Sequence, residues 1–136
     1  MAWEKDAPNA GFSTGTPWLP VKAPQAEKAV DQQGDNSIFA YYKDAIARRK
    51  ASPALSNGKT TFLKVPEPFL AFTRSAEGET LTCVFNLSDK PHALSIQGDA
   101  SIMHANEAAL DNKVLTLAGN GFAYIAHGSE IEVNAI

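Results

Sequence analysis

Between residues 35 and 51 the apolar positions recur at helical spacing, with Ile38, Tyr41, Tyr42, Ala45 and Ile46 falling on one face. The pattern predicts a helix over about 36–51. Asp35, Asn36 or Ser37 can cap its first amides, and Asp44 and Arg48 form an i,i+4 pair of favourable order. Arg48, Arg49 and Lys50 sit at the negative end of the helix dipole, and Pro53 stops continuation. After Asn57-Gly58 the period changes to two. Strands are predicted at 60–65, 69–74, 80–87, 92–96, 101–104, 114–117, 122–127 and 131–133. In the clearest, Leu81, Cys83, Phe85 and Leu87 share one face while Thr80, Thr82, Val84 and Asn86 share the other. Turn chemistry separates the strands, for example Asp89-Lys90-Pro91, Asp111-Asn112 and Asn120-Gly121. Eight short strands at this spacing predict a mainly β fold, an antiparallel sandwich or barrel.

Residues 1 to about 35 follow neither period. Pro8, Pro17, Pro20 and Pro24 exclude a long helix or a central strand there. The same stretch carries Trp3, Phe12, Trp18, Leu19 and Val21, too apolar for a free linker, so a loop packed on a surface is expected.

The chain has 136 residues, 44% hydrophobic and 20% charged, in the range of a folded domain. A net charge of −3 argues against nucleic acid as a partner. The length excludes a complete (β/α)₈ barrel, which needs roughly 250 residues. The single cysteine, Cys83, rules out an intramolecular disulfide. No apolar run approaches the roughly 20 residues that span a bilayer, so no membrane partner is expected. Met1 to Asp6 leads into no apolar signal region, and the cytoplasm is the expected location.

Local motifs offer little chemistry. His92, His104 and His127 are far apart and show no zinc-ligand spacing, so neither a metal site nor a cofactor is expected. Phosphate-cradling and serine-esterase motifs are missing. Asn86-Leu87-Ser88 matches a glycosylation sequon but sits at a strand end. Glu4 with Asp6, or Glu77 with Glu79, could be offered as an acid/base pair, yet adjacent carboxylates usually mark solvated turns. Cys83 on an apolar strand face reads as a small buried thiol. Trp3, Phe12, Trp18 and Tyr41 allow two readings: a stacking platform for sugar rings, or filling of the seam between loop, helix and sheet.

The opening strings are Met1-Ala2-Trp3, Asn9-Ala10-Gly11-Phe12-Ser13-Thr14-Gly15 and Pro17-Trp18-Leu19-Pro20-Val21. They resemble the stretch after the last barrel strand in bacterial α-glucosidases of glycoside hydrolase family 13, the α-amylase superfamily, of the oligo-1,6-glucosidase and trehalulose or isomaltulose synthase type. Asp35-Asn36-Ser37-Ile38 through Arg48-Arg49 and Pro53-Ala54-Leu55 is similar to the final barrel helix, departing from it at Ala47-Arg48, where a leucine usually precedes the arginine. Leu70-Ala71-Phe72-Thr73-Arg74 and Leu81-Thr82-Cys83-Val84-Phe85-Asn86-Leu87-Ser88 resemble the family's C-terminal β domain.

The resemblance implies a last barrel loop and helix over 1–58 and an antiparallel β-sandwich over 59–136. It implies a parent that hydrolyses or transfers α-glucosyl residues of α-linked oligosaccharides by a retaining mechanism. The family's catalytic Asp, Glu and second Asp lie before this point, so no catalytic residue is carried onto the chain, which is expected to be inactive alone. Trp3, Phe12 and Trp18 become candidates for the border of the sugar pocket. The alternative is a stand-alone carbohydrate-binding or protein-interaction module. Apolar surface on the helix and loop would favour the first reading, with the missing barrel portion or a second copy, through swapping or dimerisation, as partner.

Overall fold

A computed structural model describes all residues from Met1 to Ile136. They divide into two compact units, Met1–Arg48 and Arg49–Ile136.

The first unit is built from turns. A 3₁₀ turn at Pro8–Gly11, the short helix α1 at Ala23–Ala26 and a second 3₁₀ turn at Val30–Gln32 interrupt the proline-rich segment. Backbone hydrogen bonds tie its start to its end: Val30 N–H donates to Ala2 O at 3.1 Å and Asp31 N–H to Trp3 O at 3.0 Å. Only the small side chains of Ala10 and Ala29 are buried here. Helix α2, Ile38–Ala51, follows. Among the three candidate caps it is Ser37 whose hydroxyl accepts from Ala40 N–H, at 3.1 Å. Arg48 reaches Asp44 at 2.6 Å along the helix surface. No residue of α2 is buried.

The second unit opens with α3, Pro53–Asn57, and continues through seven strands: β1 Lys59–Phe62, β2 Phe69–Ala76, β3 Glu79–Asn86, β4 His92–Gln97, β5 Ser101–Asp111, β6 Val114–Ala126 and β7 Glu132–Ala135. All pairings are antiparallel, in one curled sheet of order β1-β2-β3-β6-β4-β7, with β5 on the other edge of β6. Strand β6 is shared. Its first half, Val114 to Leu117, pairs β4, and its second half, Phe122 to Ala126, pairs β3. The sheet therefore curls about β6 and closes on its own core of Ala71, Val84, Leu94, Ile96, Leu115, Leu117, Ala123, Ile125 and Ile131.

The mainly β, antiparallel fold is as the sequence pattern predicts, but the strand count differs. The expected strands 114–117 and 122–127 are one thirteen-residue strand, and the short strand expected at 101–104 runs on to Asp111. Asn120-Gly121 forms a bulge rather than a hairpin turn. The ladder slips between Asn106 and Ala108, where Glu107 and Asn120 both take positive φ. The glycines are needed there because other backbone passes close by. A Cβ on Gly119 would lie 2.3 Å from Asp89 O, and one on Gly121 would lie 2.6 Å from Glu107 O.

The two faces of β3 are both occupied. Thr82, Val84 and Asn86 turn toward the interior of the curl, opposite Ala71, Ala123 and Ile125. Leu81, Cys83 and Phe85 lie on the outer face. There an aromatic ladder crosses the strands, Phe62 to Phe72 at 5.8 Å, Phe72 to Phe85 at 5.8 Å and Phe85 to Phe122 at 5.9 Å between ring centroids. Each such pair adds about 0.5–1.5 kcal/mol beyond its buried area.

Candidate functional site

The aromatic residues singled out in the N-terminal segment are carried by a firmly closed loop. Asn9, Ala10 and Gly11 all adopt left-handed φ, at 53°, 51° and 69°. Gly11 takes this readily and Asn9 tolerates it, whereas Ala10 pays roughly 1–2 kcal/mol for it. The Asn9 amide offsets part of that cost by donating to Ser13 O and Gly15 O, both at 2.9 Å, which closes the loop over residues 9–15. Trp3 is held from both sides, its N–H donating to Ala10 O at 2.9 Å and its carbonyl accepting from Asp31. Lys5 N–H adds a bond to the Asp31 carboxylate at 3.1 Å. Phe12 is fixed at the loop's exit by its N–H to Asn9 O.

Trp3 and Phe12 are each about half exposed, and Trp18 is 95% exposed, so none serves as a core residue of this unit. An open cleft of about 500 Å³ lies beside them, lined by Lys5, Ala7, Asn9, Pro17, Pro20 and Val21. The prolines on either side of Trp18 form part of its wall, while the three aromatic rings themselves do not line it.

The candidate histidines of the second unit are engaged structurally. His127 Nδ1 lies 2.7 Å from Ser129 O, so that nitrogen carries the proton, and in the neutral ring Nε2 accepts from the Thr82 hydroxyl at 2.9 Å. The Thr82 side chain is fully buried, out of reach of a substrate. His92 sits edge-on to Phe69, and His104 packs against Phe122 and Tyr124. No group of three or more His, Cys, Asp or Glu side chains gathers in a way that could hold a metal ion. Burial pushes the Cys83 thiol up to about 11, with the Arg74 charge opposing the shift, which leaves almost no thiolate at neutral pH.

Glu79 accepts from the Ser52 hydroxyl at 2.7 Å and from Ala54 N–H at 2.8 Å. Its pairing with Glu77, offered as acid/base chemistry, is thereby replaced by a helix cap. Asn86, the sequon asparagine, is buried. Its amide donates to Lys90 O at 2.7 Å and Ala118 O at 2.9 Å, and its oxygen accepts from Ser88 N–H at 3.1 Å. That amide is fully used and has no room for a glycan. The signal for this role was present in the sequence, because in Asn86-Leu87-Ser88-Asp89-Lys90-Pro91 an Asn opens a turn-rich run and can accept from the N–H two residues on, as an Asx-turn does. What the arrangement offers chemically is exposed aromatic surface on a fixed loop, without a nucleophile and base placed for a substrate.

Residues 1–58 match the family model described as the α-amylase catalytic domain. Over 92 residues, 66% of the chain, the sequence is 41% identical to a probable α-glucosidase of Rhizobium meliloti, of which it covers 16%. A glucan 1,6-α-glucosidase of Streptococcus pneumoniae is 32% identical over 122 residues, 85% of the chain and 22% of that protein. Among solved structures, 93% of the chain superimposes on 24% of the α-glucosyl transfer enzyme XgtA with a TM-score of 0.74 and 34% identity. The isomaltulose synthase of Erwinia rhapontici matches over 98% of the chain and 24% of its own, with a TM-score of 0.66 and 27% identity. The chain thus spans less than a quarter of the length of each of these relatives.

Proposed function

This chain belongs to the α-amylase family of glycoside hydrolases, and from that premise we propose that it is the C-terminal portion of an α-glucosidase. The whole enzyme would transfer α-glucosyl residues of α-linked oligosaccharides, to water or to a sugar, through a covalent glucosyl intermediate with retention. A cytoplasmic setting goes with this proposal. The observation that carries it is continuity: one uninterrupted sequence runs from the catalytic-domain match through α2 into the β domain, and nearly all of it follows glucosyl-transferring enzymes.

In this reading the chain's part is architectural. The closed loop over 9–15 holds Phe12 and, with the bonds to Ala10 and Asp31, Trp3. Together with Trp18 these aromatics border the sugar pocket, where flat rings can stack on pyranose faces. The curled sheet is a rigid support that contributes no reacting group. The purified chain is therefore expected to leave maltose, isomaltose and nitrophenyl α-glucoside untouched. Turnover that rises in proportion to chain concentration would overturn this reading.

The near-complete exposure of Trp18 favours one second reading, a module that binds carbohydrate by itself. Saturable quenching of tryptophan fluorescence by α-linked oligosaccharides, lost in Trp18→Ala, would favour that module over a purely architectural role.

A further inference from the structure

We draw no further inference here: the strongest candidate, the partly exposed aromatic ladder of Phe62, Phe72, Phe85 and Phe122 on the outer face of the β-sheet, is an unpartnered apolar face, and nothing in the structure shows what covers it.

Discussion

Arg74 and Glu79, on the two strands of one hairpin, grip opposite ends of the same five-residue helix. Glu79 accepts from Ser52 and Ala54 at the start of α3, while Arg74 donates to Ala54 O at 3.0 Å and Leu55 O at 3.1 Å at its end. The negative group meets the positive pole of the helix and the positive group its negative pole. A helix this short would not persist by propensity alone. Glu79→Ala leaves the Ser52 hydroxyl and a part-buried amide without their acceptor, and is expected to destabilise the domain by about 1–3 kcal/mol in urea unfolding. Arg74→Ala is expected to act in the same direction, and the double variant to lose less than the sum.

Asn86 holds the connection between β3 and β4 against the bulge of β6. Asn86→Ala removes donors to Lys90 O and Ala118 O in a buried setting. A loss of about 2–3 kcal/mol is expected. Asn86→Asp is expected to be worse at neutral pH, because it turns a carboxylate oxygen toward those carbonyls. Thermal melts of the two variants check the order.

The β5–β6 hairpin turns through Asn112 and Lys113, both with positive φ, at 46° and 65°. This is the two-residue geometry in which Asn-Gly is favoured. Lys113→Gly is expected to stabilise the domain by about 1 kcal/mol, whereas Gly119→Ala is expected to destabilise it severely, since the new methyl would meet the Asp89 carbonyl. Chemical denaturation midpoints should move in opposite directions for the two.

Cys83 makes stability depend on alkaline pH. Burial pushes its thiol up to about 11 when folded, against 9.0 for an ordinary thiol. A raised folded value means that the unfolded chain sheds the proton first as pH increases. The contribution is whole below about pH 9 and falls by about 1.4 kcal/mol per pH unit between 9 and 11. In Cys83→Ala that part of the slope should vanish, and in the native chain thiol reagents should react only at the rate of opening.

Where structure is set by near neighbours, it could be read directly from the chain. Helix α2 was visible because its cap, its charge pair and its stop all lie within the segment or just beside it. Most strands were visible from alternation. Helix α3 was not, although Ser52 caps Leu55 N–H locally, because Pro53 reads as the stop of α2 and the partners that hold both ends, Glu79 and Arg74, lie some nineteen to twenty-seven positions away. β6 was read as two strands because Asn120-Gly121 has turn chemistry, and nothing local reveals that Asp89 and Glu107 crowd those positions. The interior face of β3 looked polar, with Thr82 and Asn86, since the hydrogen bonds that allow them inside come from His127, Lys90 and Ala118. The aromatic loop residues were identified by type, but the left-handed run that fixes them depends on Asn9 bonding forward to Ser13 and Gly15.

The shared strand also sets the order in which the domain can be completed. β3 and β4 are successive in the chain, yet neither pairs with the other, and both wait for β6. As the chain leaves the ribosome, the hairpin of β2 and β3 can close early. Its open edge and all of β4 stay without a partner until residues 114–126 emerge. A chain stopped before Val114 would keep five strands, β1 to β5, and lose the one that joins β3, β4 and β5, so assembly is gated by residues 114–126.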